Sequence, residues 1–161
     1  MATSLSEGES KTKHCGLLLI HKNQFKMEKI RLQTVRPFIF ETINLIEYYD
    51  ELGLDCGDVQ AKVQKFIVER IESMLQQANE KLTSHPKQPK LPLLRLRVHY
   101  TEEEQIFNTI RFGQQYNNKV ANPTDMLIFK RIKKTTKSDL NPLDQSIMNE
   151  AFKKEVIVLC S

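Results

Sequence analysis

Tryptophan is absent from this chain of 161 residues, glycine occurs five times, and three cysteines are spread across it at positions 15, 56 and 160. Three widely spaced thiols form neither a disulfide framework nor a close metal-binding pair, so all three are expected to be free in a reducing compartment. Long apolar runs are also missing. The longest, Leu17 to Ile20 and Val156 to Cys160, are far too short to cross a bilayer. Met1 to Ser10 lacks the charged-then-apolar order of a signal peptide. These absences predict an intracellular protein with no membrane partner. The scarcity of glycine, and the lack of repeats and low-complexity segments, predict one ordinary folded unit with tails.

Catalytic signatures are equally scarce. His14, His21, His85 and His99 are dispersed, and none falls four residues from another His, Asp or Glu in a clear helix. No Cys pair has zinc spacing. The Asp-x-His, Gly-Asn-His and His-x-His combinations of a two-metal phosphoesterase do not occur. Neither do a phosphate loop, a nucleophile elbow or a dinucleotide fingerprint. The chain alone is therefore expected to be catalytically inactive, with no metal or cofactor of its own.

What is present is charge segregated in blocks, beneath a net charge of only +4. Residues 11–36 hold seven Lys/Arg against the single acid Glu28. Residues 37–58 hold six acids (Glu41, Glu47, Asp50, Glu51, Asp55 and Asp58) and no base. Lys87, Lys90, Arg95 and Arg97 follow in 83–100, and Lys130, Arg131, Lys133, Lys134 and Lys137 in 126–137, both without an acid. Such segregation makes distinct faces. Any one block can be a merely solvated surface, but three basic blocks favour a shared polyanion partner, and nucleic acid is the commonest.

Residues 1–12 read as a flexible arm. Gly16 to His21 reads as a buried strand, followed by a turn at Asn23-Gln24. The run from Phe25 to Val35 alternates in two registers, which a bulge near Glu28 and Lys29 would reconcile. After Pro37, aromatic and β-branched residues favour a strand over Phe38 to Leu45, and Tyr48 to Asp58 reads as an acidic loop or short turn. Val59, Val63, Phe66, Ile67, Ile71, Met74, Leu75, Ala78 and Leu82 form one apolar stripe, a core-packing helix over 58–82 with Asp58 as N-cap. Leu93 to Tyr100 alternates as a strand, with Leu94, Leu96, Val98 and Tyr100 on one face and Arg95, Arg97 and His99 on the other. Two arginines ~7 Å apart match phosphate spacing, and equally suit salt bridges to the acidic block. Phe107 to Val120 fits a helix or a loop. Asn122 as N-cap, Pro123 at the first helical position and Asp125 in the first turn predict a second helix over 123–134. Leu143 to Cys160 reads as an amphipathic helix or a disordered tail. The fold class expected is α+β: a largely antiparallel sheet carrying two main helices, at about 58–82 and 123–134. The domain is expected over 13–134, with a poorly specified tail over 135–161.

Several segments, in order, resemble one family. They are Lys13-His14-Cys15-Gly16-Leu17-Leu18, Lys29 to Phe38, Pro92 to Tyr100, Ile110-Arg111-Phe112-Gly113-Gln114-Gln115-Tyr116, and Val120-Ala121-Asn122-Pro123-Thr124-Asp125-Met126-Leu127. The chain resembles the DNA-binding or capping domain of the eukaryotic double-strand-break repair nuclease named meiotic recombination eleven. The resemblance implies nuclear, sequence-independent binding of duplex DNA and restriction of access to the nuclease site. It also implies packing against a manganese-dependent phosphoesterase domain and proximity to the ATPase subunit of the repair complex. The metal motifs precede this domain in the family, so manganese belongs to the parent nuclease. Met1 and its polar arm read as the start of a fragment or of a shortened gene product. The last twenty or so residues depart from the family pattern, so its C-terminal DNA- and ATPase-binding segments are expected to be absent.

The candidates for phosphate contact are Lys26, Lys29, Arg31, Arg36, Arg95, Arg97, Lys130, Arg131, Lys133 and Lys134. Arg36 and Arg97, beside apolar runs, also suit structural roles. The rival reading is an interaction scaffold that docks the nuclease domain and the ATPase with little DNA contact, which the acidic block at 41–58 would suit.

Overall fold

The computed structural model describes residues 5–132. Lys133, Lys134, Lys137, Cys160 and the expected helix over 143–160 lie outside them. Strands β1 (His14–His21) and β2 (Gln24–Arg31) form an antiparallel hairpin. Three further strands, β3 (Phe38–Asn44), β4 (Leu93–Tyr100) and β5 (Leu127–Arg131), make a separate sheet in that order. Both of its pairings are parallel, which corrects the expectation of a largely antiparallel sheet. The connections explain it. Adjacent parallel strands need a long crossover, usually helical, and the chain supplies a helix between β3 and β4.

That helix is α2 (Val59–Glu80), and Asp58 caps it by accepting from the Ala61 N–H at 3.0 Å. Its buried stripe (Val63, Phe66, Ile67, Ile71, Met74 and Ala78) packs on Ile39 and Ile43 of β3 and on Leu94, Leu96 and Val98 of β4. Each fully buried aliphatic side chain contributes about 1.5–3 kcal/mol, so this stripe anchors the unit. The acidic stretch before α2 is partly structured. A single turn, α1 (Tyr49–Leu52), ends at Gly53, whose φ of 57° suits glycine. Lys62 on α2 then donates to the Gly53 and Cys56 carbonyls at 2.6 and 2.8 Å.

The hairpin departs from expectation in two ways. Its register runs unbroken from His14↔Arg31 to His21↔Gln24 around a turn at Lys22-Asn23, so there is no bulge at Glu28 and Lys29. Neither strand is buried. Leu18, Ile20, Phe25 and Met27 share one exposed face while Leu17, Leu19 and Ile30 lie on the other. A two-stranded ribbon apolar on both faces needs no bulge to sort its side chains. The segment before it makes a 3-10 turn at Glu7–Ser10 that contacts β3.

Over the described part of the helix expected at 123–134, a turn and a strand form instead. Residues 123–125 turn, and the apolar run Met126-Leu127-Ile128-Phe129 enters β5. Asn122 uses its carboxamide on a strand: Nδ2 donates to the Leu94 carbonyl at 2.8 Å and Oδ1 accepts from the Leu94 N–H at 3.1 Å. The side chain thus satisfies the edge of β4 just before β5 takes over the pairing. A short helix, α3 (Thr109–Gly113), capped by Asn108, leads into this corner. Gly113 packs on Pro123 so closely that a Cβ would lie 2.0 Å from the Pro123 carbonyl oxygen.

Candidate nucleic-acid interface

The parallel sheet has two unlike faces. Alternation along β4 turns Leu94, Leu96 and Val98 onto α2, which leaves Arg95, Arg97 and His99 on the outer face. Register places Thr42 and Ile128 on either side of Arg97, and Asn44 and Lys130 on either side of His99. The outer positions of all three strands therefore bring together Arg95, Arg97, His99 and Lys130 without a single carboxylate. The alternation was legible in the sequence. The addition of Lys130 required β5 to be a strand.

Local contacts hold these side chains in place. Arg97 lies over the Phe40 ring, 5.2 Å from its centroid, an arrangement that suits a flat cation and fixes its orientation. Arg95 Nη1 donates to the Asp125 carbonyl. Burial pushes the Arg95 guanidinium below its ordinary range; the Asp125 carboxylate opposes this and Arg97 adds to it. A desolvated cation beside a second cation favours an arriving anion. Among the described residues, neither arginine forms an ion pair with the acidic block at 41–58. The Glu41 carboxylate instead faces Arg70, at 3.7 Å. His99 Nε2 is buried and has no hydrogen-bond partner.

The other expected contacts scatter. Lys26 pairs with Glu28 at 2.7 Å on the hairpin. Lys29 and Arg31 are exposed on β2. Arg36 donates to the Leu91 carbonyl at 2.7 Å. Arg131 alternates away from Lys130 and pairs with Glu103 at 3.0 Å. Lys133 and Lys134 lie outside the described residues. The β4 alternation carries a sequence signal for His99 on this face, whereas Lys11, Lys13 and Lys81 converge only in the tertiary fold.

No group of three or more His, Cys, Asp or Glu among the described residues could hold a metal ion. Cys15 and Cys56 are free and exposed. No helix among the described residues is long and apolar enough to cross a membrane.

A family model described as the Mre11 DNA-binding presumed domain matches residues 25–157. Similar curated proteins include those named double-strand break repair protein MRE11. The one from Mus musculus is 40% identical over 131 residues, covering 81% of this chain and 19% of the relative. The Homo sapiens protein is 41% identical over 131 residues, 81% of this chain and 18% of the relative. The Oryza sativa subsp. indica protein is 40% identical over 147 residues, 91% of this chain and 20% of the relative. The chain thus spans about a fifth of the length of these relatives.

Proposed function

We propose that this chain, which belongs to the Mre11 DNA-binding domain family, grips the phosphate backbone of duplex DNA as part of a double-strand-break repair nuclease. The observation that carries this reading is the outer face of the parallel sheet, where no strand position carries an acid and Arg95 and Arg97 of β4 share the face with Lys130 of β5. Phosphate contacts by Lys and Arg carry no base information, so binding is independent of sequence and falls steeply with salt. Lys26, Lys29, Arg31, Arg36, Arg131, Lys133 and Lys134 are the remaining candidates for the same backbone. Arg131 is already ion-paired with Glu103, which makes it a weaker one.

The finer picture is that of a capping domain. Beside a phosphoesterase domain in a longer protein, it restricts which DNA reaches a manganese-dependent nuclease site and lies next to an ATPase subunit, in the nucleus. The exposed apolar hairpin supports such packing, because a contiguous apolar patch on a small domain marks a contact surface. On this reading manganese belongs to the phosphoesterase domain of the parent nuclease.

A second reading has its own observation. Glu47, Asp50, Glu51 and Asp55 are exposed together around α1, a surface that repels DNA and suits a basic protein partner. On that reading the domain is a scaffold for the nuclease domain and the ATPase. Binding of the chain to duplex DNA over a salt series separates the two. Steep loss of affinity with salt supports the DNA grip, and no binding at low salt leaves the scaffold.

A further inference from the structure

The cleft where the hairpin meets the sheet gathers cations that the outer face does not use. Lys11 and Lys13 come from the segment before β1, Arg31 from the end of β2, Arg36 from the linker to β3, and Lys81 from just past α2. Among the described residues, five cations thus line one small cleft, against the single carboxylate of Glu9. That carboxylate is already engaged by Lys13 at 2.6 Å.

The cleft is built rather than incidental. Its floor is tied by Gln88, which is buried and reaches both walls. Gln88 Nε2 donates to the Val35 carbonyl at 2.9 Å, and its Oε1 accepts from the Thr83 N–H at 2.6 Å. The Thr83 hydroxyl lies 2.8 Å from the Gln33 carbonyl. These bonds fix the linker 33–37 against the end of α2, and so fix where Arg36 and Lys81 stand. Arg36 spends Nη1 on the Leu91 carbonyl at 2.7 Å, and the Lys81 ammonium reaches the Phe38 carbonyl at 3.5 Å. Each anchor leaves further N–H donors on the same group. Among the described residues, Lys11 and Arg31 form no ion pair.

A cleft lined by one sign of charge draws in an anion that can neutralise several cations at once. A tetrahedral phosphate can accept from several lysines and from an arginine fork at once. We propose that this cleft binds a backbone phosphate of nucleic acid, a second anchorage apart from the outer face of the sheet. The assignment of nucleic acid as the source rests on the DNA-binding reading; the cleft's preference for phosphate does not. Arg31 belongs to the hairpin while Arg36 and Lys81 belong to the sheet unit, so a phosphate here also fastens the two together.

Amide chemical-shift mapping of the 161-residue chain with inorganic pyrophosphate tests the site directly. Shifts are expected at residues 11–13, 31–36 and 81–83. Shifts confined to β4 and β5, or none, overturn the proposal. The second arm compares duplex binding of the unmodified chain with K11E/R31E and R97E/K130E, each first shown to melt as the unmodified chain does. K11E/R31E is expected to weaken binding by about tenfold or more at about 50 mM salt. Unchanged duplex affinity in K11E/R31E, with loss in R97E/K130E, removes the cleft and keeps the DNA reading. Pyrophosphate in the cleft of a chain that binds no duplex upholds the phosphate site and removes the DNA reading.

Discussion

The Asn122 carboxamide grips both backbone polar groups of Leu94, donating to the carbonyl at 2.8 Å and accepting from the N–H at 3.1 Å. It stands in for a neighbouring strand at the point where β5 has not yet begun, so the polar edge of β4 never goes unpaired. The next residues then lead β5 into register, with Leu96 opposite Leu127. That register sets Lys130 beside His99. A single amide thus links the strand pairing to the composition of the basic face.

Replacing Asn122 with Ala leaves a part-buried donor and acceptor of Leu94 without partners, and is expected to cost about 1–3 kcal/mol. Asn122→Asp keeps the acceptor but turns an oxygen toward the Leu94 carbonyl, and is expected to destabilise at least as much. Urea denaturation of the two variants measures this, and stability equal to that of the parent chain would remove Asn122 from its place as the strand clamp.

Gly113 offers a sharper steric test. A Cβ there would sit 2.0 Å from the Pro123 carbonyl oxygen, a backbone atom that cannot swing aside. Gly113→Ala is expected to destabilise by roughly 1–3 kcal/mol, the range for overpacking a filled site. The neighbouring Gln114→Ala, on an exposed side chain, is expected to stay near neutral. Paired thermal melts of the two variants give the comparison.

Arg70 engages Glu41, the one acid of β3, on the helix side of the sheet. Its guanidinium lies 5.6 Å from the Tyr48 ring centroid and 5.3 Å from that of Phe66, donates to the Tyr48 hydroxyl at 3.0 Å, and faces Glu41. Lysine keeps the charge but loses the flat fork and its stacking, so Arg70→Lys is expected to cost about 1–2 kcal/mol. Denaturant midpoints read the loss, while duplex affinity is expected to remain unchanged.

Burial, with a smaller effect from Glu72, raises the Tyr116 phenol above its ordinary range. The unfolded chain then gives up the phenolic proton first. The stabilisation is complete below the unfolded value of about 10 and is lost as pH climbs through the raised folded value. Tyr116→Phe is expected to flatten that alkaline decline, which urea midpoints from about pH 9 to about pH 12 would show.

Some of this fold was legible in the sequence. Helix α2 was readable because its buried stripe from Val63 to Ala78 keeps one period through most of a 22-residue helix and Asp58 marks its start. β4 was readable from strict alternation. The stretch at 122–134 was not, because Asn-Pro-Thr-Asp carries the same chemistry whether Asn caps a helix or clamps a strand, and the tertiary partner Leu94 decides. The run Met126 to Phe129 was the discordant signal, since four consecutive apolar residues suit a buried strand better than an amphipathic helix. Strand direction is not encoded by the strand residues themselves; it follows from the crossover through α2 between β3 and β4. At the site, Arg95 and Arg97 were legible by periodicity. Lys130 joined them only through register, and Lys11, Arg31 and Lys81 come together only in three dimensions.

The central claim, that the outer face of the parallel sheet holds the DNA backbone, is tested most directly by the salt dependence of duplex affinity for the parent chain and for R97A/K130A. Each lost phosphate contact lowers the slope of log affinity against log salt by about 1, so a slope shallower by about two is expected, together with weaker binding that is uniform across duplex sequences. An unchanged slope and affinity in a variant that folds as the parent does would contradict the claim.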